Sequence, residues 1–140
     1  MKKNKFLALG LAGILLVAPM SIGAEEREAV NNEDFKIVKE FGDIKLSGNS
    51  ASVNFDSLVN ENSKIVVNGS GESWLGGGKW TYGLSSTNVW SRYKNSSRVH
   101  STSVRSGFGT RSSGWTSPGI DAIASIKKSL FNNEAFASYK

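Results

Sequence analysis

The stretch GKWTYGLSS, residues 78–86, alternates large apolar side chains with small or polar ones. Trp80, Tyr82 and Leu84 fall on one face of an extended chain, because successive side chains of a strand point to opposite faces. This period of two predicts a half-buried strand. Residues 89–93 and 98–104 are predicted to follow as strands, and the mixed faces of the second are typical of an edge or two-sided polar strand. The predicted fold class is therefore all-β.

The composition narrows the chemistry that the chain can perform. Its 140 residues allow one compact domain, and its 15 glycines are typical of a turn-rich β-protein. The chain has no cysteine and one histidine. Disulfides, thiol catalysis and thiolate metal sites are therefore excluded, as is any metal site built from two imidazoles. We expect no cofactor and no bound metal.

The first 24 residues have the three parts of a secretory signal peptide. Three lysines among the first five residues form a basic start, residues 6–18 form an apolar run, and small residues precede Glu25. The apolar run is too short for a membrane-spanning helix, which needs about 20 such residues. We predict cleavage after Ala24 and a secreted, extracellular protein. Secretion without cysteine fits a bacterial protein, with a Gram-positive source expected, better than a eukaryotic secreted domain of similar size.

The chain after the leader divides into two parts of opposite charge. Residues 25–72 carry ten acidic and five basic side chains, whereas residues 73–140 carry nine basic and two acidic ones. The glycines at 76–78 are interpreted as a flexible linker or a processing site between them. Charge alone leaves open whether the acidic part is a pro-region that masks the basic part or a second small β-unit. The predicted organisation is a signal peptide at 1–24, an acidic N-terminal extension or pro-segment at 25–77, and a basic domain at 78–140.

Short β-like runs are also predicted in the acidic part. The sequence Ser-Gly-Asn-Ser at 47–50 predicts a hairpin turn, because glycine and asparagine accept the positive φ of tight turns. The predicted strands are 35–39, 43–47, 51–55 and 64–68.

The C-terminal region allows two interpretations. Residues 106–117 are predicted to form a Gly/Ser loop. Local signals at 120–130 favour a helix by a small margin, with Ser117 as its N-cap and lysines near its end. The alternative is a strand, with residues 135–139 pairing back onto it across Asn132-Asn133.

The order of motifs from residue 78 onward resembles the lactococcin 972 family of secreted bacteriocins. These motifs are GKWTYGLSS at 78–86, Ser-Arg-Tyr at 91–93 and His-Ser-Thr-Ser-Val at 100–104. The chain departs from the family where Tyr82 stands in place of a usual histidine, in a C-terminal end poorer in aromatic residues, and in residues 25–77, which have no counterpart. The resemblance covers residues 78–140.

The resemblance implies a small antiparallel β-sandwich at 78–140, and it favours a strand over a helix at 120–130 because tertiary context overrides local propensity. It implies a non-enzymatic antibacterial protein that binds the cell-wall precursor lipid II and blocks septum formation in related Gram-positive bacteria. The implied partners are lipid II or the anionic envelope and the producer's export and immunity proteins; a homodimer is left open. The alternative function is a secreted wall-binding or adhesive module without killing activity.

Aromatic and basic side chains of the second part are the candidate contacts to such a target. Tryptophan and tyrosine rings stack on sugars or lie at membrane interfaces, but a small sandwich needs most of its rings inside, and Trp80 and Tyr93 are assigned mainly to the core. Guanidinium groups bind phosphate oxygens, and the ordinary alternative is a solvated basic face. The candidate binding residues are Trp80, Tyr82, Trp90, Arg92, Tyr93, Arg98, His100, Arg105, Arg111 and Trp115, with Lys94 as a further basic residue.

Two other function classes are disfavoured. A serine, His100 and Asp121 have the residue types of a hydrolase triad, but the sequence has no Gly-x-Ser-x-Gly elbow. We expect His100 to be a strand residue bonded to a backbone or hydroxyl group. Nucleic acid is not expected as a partner, because secretion separates the protein from it and no nucleic-acid-binding motif is present.

Overall fold

The computed structural model describes residues 34–60, 62 and 64–140. The predicted signal peptide and its cleavage after Ala24 lie outside the described residues. Residues 34–140 form one compact unit. Among the described residues, no helix is long and apolar enough to cross a membrane.

Twelve β-strands and one 3₁₀ turn, Asp56–Leu58, make up the regular structure of the described residues. The strands are β1 (Phe35–Lys39), β2 (Asp43–Ser47), β3 (Ser50–Asn54), β4 (Val59–Asn60), β5 (Ile65–Val66), β6 (Gly69–Leu75), β7 (Gly78–Leu84), β8 (Asn88–Lys94), β9 (His100–Ser106), β10 (Gly109–Ser112), β11 (Ala122–Lys127) and β12 (Glu134–Tyr139).

Ten of these strands form two antiparallel sheets of five strands each. The first sheet has the order β1-β6-β7-β8-β11, and the second has the order β10-β9-β12-β3-β2. The small strands β4 and β5 pair with each other. The two sheets pack together, with β8 and β11 of the first sheet lying against β9 of the second. The predicted fold class, an all-β antiparallel sandwich, is confirmed.

The core lies between the inner faces of the two sheets. In β7, Trp80, Tyr82 and Leu84 are buried, whereas Lys79 and Thr81 point outward. The same alternation buries side chains of the other strands, among them Val53 in β3, Val89 and Tyr93 in β8, Val104 in β9, Ala122 and Ala124 in β11, and Ala135 and Ala137 in β12. Removing these facing apolar surfaces from water is what holds the sheets together.

The turn predicted at residues 47–50 is present. It joins β2 to β3 and pairs Ser47 with Ser50. Gly48 has a φ of +60° at the first of the two central positions. Glycine adopts this positive φ without the steric strain that most other residues would have there. The hairpin prediction is confirmed.

The glycines at 76–78 form a tight turn rather than a linker. Gly76 and Gly77 have φ values of +56° and +82° in the two-residue connection between β6 and β7. Positive φ at both central residues matches the twist of a two-residue hairpin. A β-carbon on Gly76 would lie 2.5 Å from the Tyr139 ring. The prediction of a flexible linker is therefore wrong, while cleavage of the chain at this point stays a prediction.

The structure differs from two predictions made for the C-terminal region. Residues 122–127 form β11, so the local helix preference is wrong and the strand favoured by the family resemblance is confirmed. The chain does not pair back on itself across Asn132-Asn133, since β11 pairs with β8 and β12 pairs with β9 and β3. The predicted loop at 106–117 also contains β10.

The residues before the turn at 76–78 take part in both sheets. Strands β1 and β6 extend the first sheet beyond β7, and β3 and β2 extend the second sheet beyond β12. Hydrogen bonds also join the two parts of the chain: the Phe55 amide donates to the Asn133 carbonyl, and the Asn132 amide donates to the Asp56 carboxylate. The acidic and basic parts of the sequence are thus interleaved in space.

Candidate functional site

Four of the candidate binding residues lie in the core and have no exposed surface: Trp80, Tyr82, Tyr93 and His100. Trp80 Nε1 donates to Ser91 Oγ at 2.8 Å, and the Tyr93 hydroxyl donates to the Leu75 carbonyl at 2.5 Å. The Tyr82 hydroxyl lies 3.0 Å from Ser73 Oγ. These rings support the sandwich and do not reach a ligand at its surface.

Burial changes the ionisation of two of these tyrosines. It raises the pKa of Tyr93 to about 12, and it raises the pKa of Tyr82 well above its usual range. Removing a phenolate from water is unfavourable, so burial favours the neutral form. Both hydroxyls therefore stay protonated at neutral pH and stabilise the core as neutral hydrogen-bonding groups.

His100 holds the loop that carries Trp115. Its two ring nitrogens each lie 2.8 Å from a backbone carbonyl, one of Arg98 and one of Ile120. Its backbone also exchanges two hydrogen bonds with Thr116. The imidazole packs edge-on against Tyr93, with 5.2 Å between ring centroids. This histidine thus positions the loop after β10 and has no serine hydroxyl at its ring nitrogens.

The outer face of the first sheet brings together a second group of side chains. Trp90 and Arg92 of β8 lie there, because they alternate with the buried residues of the strand. Trp90 is half-buried opposite Gly83, and Arg92 is exposed opposite Thr81. These two are the predicted binding residues that share this face.

Arg92 already has a protein partner on that face. Its guanidinium donates two hydrogen bonds to Asp121 Oδ2, at 2.5 Å and 3.0 Å. The hydrogen bond from Arg92 lowers the pKa of the Asp121 carboxyl, since a donor stabilises the charged form. The charge of Arg92 is therefore locally balanced.

The remaining predicted residues are spread over other surfaces. Arg105 lies on the outer face of the second sheet, where it forms a salt bridge with Glu134. Arg111 is exposed on the edge strand β10, and the Arg98 guanidinium lies 4.9 Å from the Tyr139 ring. Trp115 is 54% exposed, with Lys140 Nζ 4.4 Å from its ring. The ten candidates thus do not form a single site.

The strand register reveals a row of side chains that the sequence analysis did not find. Lys36 in β1 is paired with Trp74 in β6, Trp74 with Lys79 in β7, and Lys79 with Lys94 in β8. Paired residues of an antiparallel sheet point to the same face, so all four lie side by side on the outer face. We call these four residues the lysine row. Of these four residues, the sequence analysis named only Lys94 as a candidate. The alternation of Lys79 with buried Trp80 in β7 was the signal that places Lys79 on the same outer face.

The described residues contain no cluster of three or more metal-ligating side chains. Their two salt bridges involve Arg92 and Arg105, and neither includes a lysine of the row. The outer face of the first sheet thus brings three lysines without a salt bridge in the described residues together with Trp74 and Trp90.

No curated protein matches the chain. Residues 76–137 match the model of the bacteriocin family lactococcin 972, which is under half of the 140 residues. This segment contains β7, β8 and β11 of the first sheet, β9 and β10 of the second, and all of β12 except its last two residues. Strands β1, β2, β3 and β6 lie outside the match. The resemblance of the second part of the chain to this family is confirmed, and residues 76–137 are similar to a lactococcin 972 bacteriocin.

Proposed function

We propose that the protein is a secreted, non-enzymatic antibacterial protein that binds the cell-wall precursor lipid II. Binding would withhold the precursor and block septum and wall synthesis in related Gram-positive bacteria. The family match supports a bacteriocin. The proposed target is lipid-linked and carries a diphosphate, so it is anionic and lies at the outer surface of the membrane.

The basic, tryptophan-bearing outer face of the first sheet is the observation that carries this proposal. Its lysine row and Trp90 lie on four adjacent antiparallel strands. Lysines near an anionic surface each contribute about 1 kcal/mol of attraction, and tryptophan favours the boundary between water and lipid. A face of this kind matches an anionic, lipid-linked ligand.

The environment of His100 supports a non-enzymatic role. A hydrolase triad needs an imidazole nitrogen beside the attacking serine. His100 is the chain's one histidine, and both of its ring nitrogens contact backbone carbonyls in the core. We therefore propose action by binding alone.

The decisive experiment applies the purified secreted protein to lawns of related Gram-positive species. We expect clear zones, septum defects under the microscope and a membrane potential that is retained during early inhibition. Added lipid II should antagonise the effect, because it competes for the same face. A sample with heat-unfolded protein is the control.

Two results would contradict the proposal in different ways. Wall binding without any inhibition would favour a secreted adhesive or wall-binding module. Prompt leakage of dye from plain anionic vesicles would favour disruption of the membrane instead of sequestration of a precursor.

A further inference from the structure

The lysine row places like charges next to each other. Lys79 and Lys94 are direct cross-strand partners, and Lys36 lies two strands away from Lys79 in the same row. Neighbouring strands are about 4.8 Å apart, so the three amines extend from points within roughly 15 Å. Like charges directly opposite each other destabilise a sheet. Repulsion between the lysines of the row therefore lowers the stability of the sheet, and the fold itself does not require these charges.

Two exposed arginines of the sheets, by contrast, have carboxylate partners. Arg92 is paired with Asp121, and Arg105 is paired with Glu134. Within the described part of the chain, no carboxylate forms a salt bridge with any of the three lysines. The amines of the row thus have no carboxylate in direct contact, although the charge of Lys94 helps to lower the pKa of Asp121, whereas the two arginines are bonded to carboxylates.

Trp74 lies between Lys36 and Lys79 and is 42% exposed. A large ring in this position exposes apolar surface that no described residue covers completely. Ile123, two strands beyond Thr81 on the same face, is 57% exposed. Positive charge and exposed apolar groups on one face suit the surface of an anionic lipid layer.

We propose that the lysine row is the binding site for a diphosphate carried on a lipid chain. The proposal rests on the proposed function and specifies the site at which the lipid-linked ligand is held. Lys79 and Lys94 face the two phosphate groups as point charges, Lys36 reaches them from the far side of Trp74, and the indole lies at the lipid boundary. Two of the four residues, Lys36 and Trp74, come from outside the family match.

The charge complementarity gives a quantitative expectation. Each lysine near an anionic surface contributes about 1 kcal/mol, so removal of two of them should weaken binding about thirtyfold. The same removal relieves the repulsion between Lys79 and Lys94. The variant K79Q/K94Q should therefore bind more weakly while its thermal midpoint stays the same or rises, an outcome that a purely structural role for these lysines would not produce.

The test measures binding of the full secreted chain to phosphatidylcholine vesicles that contain a few per cent of undecaprenyl diphosphate. Vesicles with phosphatidylglycerol at equal surface charge show whether the diphosphate itself is recognised. We expect tighter binding to the diphosphate vesicles and about a thirtyfold loss for K79Q/K94Q. Equal binding to both kinds of vesicle would overturn the assignment of the row to a diphosphate.

The matched control is K45Q/K64Q, which removes the same number of charges from exposed positions outside the first sheet. We expect it to bind within about threefold of the unchanged protein. A second pair compares Trp74→Ala with Phe108→Ala, both exposed aromatic residues, and only the first should weaken binding. Equal losses in the members of either pair would overturn the site.

This experiment separates the site from the proposed function. Loss of vesicle binding in K79Q/K94Q supports the site even if the protein inhibits no bacterium, in which case the antibacterial function fails alone. Full growth inhibition by K79Q/K94Q supports the antibacterial function and overturns the site.

Discussion

A chain of hydrogen bonds at the residue scale links the two sheets through the core. Trp80 Nε1 donates to Ser91 Oγ at 2.8 Å, and the Ser91 and Thr102 hydroxyls are 2.5 Å apart. Thr102 Oγ1 donates in turn to the Phe136 carbonyl at 2.7 Å. Each hydroxyl therefore accepts one hydrogen bond and donates one, so the buried indole N–H and both hydroxyls are satisfied.

We expect Ser91→Ala to lower the free energy of unfolding by about 1–3 kcal/mol, because it leaves the buried Trp80 N–H without an acceptor. The control is Ser101→Ala, the same change at a half-exposed residue on the outer face of the second sheet. Its effect should be within about 0.5 kcal/mol. Denaturant titrations of both variants measure the difference, and equal losses would contradict the role of the hydrogen-bond chain.

The buried tyrosines predict a loss of stability in alkali. Tyr93 has a pKa of about 12 in the folded protein, above its ordinary value near 10. Its stabilising contribution is thus fully present below pH 10 and declines as the pH rises from about 10 towards 12, where the unfolded chain ionises first. The free energy of unfolding, measured across this range, should fall with pH. It should fall less steeply for Tyr93→Phe, and an equally steep decline in that variant would exclude Tyr93 as a cause.

At the scale of single elements, the turn between β6 and β7 distinguishes two adjacent glycines. Both have positive φ, but a β-carbon on Gly76 would meet the Tyr139 ring, whereas one on Gly77 would meet nothing within 4 Å. Gly77→Ala should cost about 1–2 kcal/mol from backbone strain alone. Gly76→Ala should cost clearly more, because the ring must also move. Thermal unfolding of the two variants tests this, and equal midpoints would contradict the predicted contact.

These glycines also show where local sequence signals are ambiguous. A glycine triplet is typical of both a linker and a tight turn, and only the pairing of Leu75 with Gly78 distinguishes the two. The segment 120–130 is similar, since its capping signals favour a helix. There the alternation of Ala122, Ala124 and Ile126 prevails, because it buries all three side chains in the sandwich.

At the scale of the whole molecule, the class of fold was predictable and the strand order was not. Alternation within a strand is local, so it predicted β1, β2, β7 and β8 within one or two residues. The sheet to which a strand belongs depends on partners far away in the chain. The lysine row was missed for that reason: Lys36 and Lys79 are neighbours only through the pairing of β1, β6 and β7.

The interleaved sheets also bear on the role of the acidic part of the chain. A mask would cover the basic face, but strands β1, β2, β3 and β6 of this part are strands of the two sheets themselves. They supply Lys36 and Trp74 to the lysine row itself. The acidic part also supplies Phe35, Val53, Phe55 and Leu75 to the core, each at most 4% exposed.

We therefore expect the active protein to retain residues 34–77. Burying a side chain such as valine, leucine or phenylalanine contributes about 1.5–3 kcal/mol, so losing four of them would remove an amount comparable to the whole stability of a small domain. A fragment of residues 78–140 should have a lower free energy of unfolding and bind hydrophobic dyes, because Tyr82 would lose the Phe55 ring that lies 6.4 Å away. Mass spectrometry of culture supernatant gives the direct answer. A species that begins near Gly78 and inhibits growth would show that the acidic part is a removable pro-segment, whereas a chain that begins near Glu25 makes it a permanent part of the sandwich.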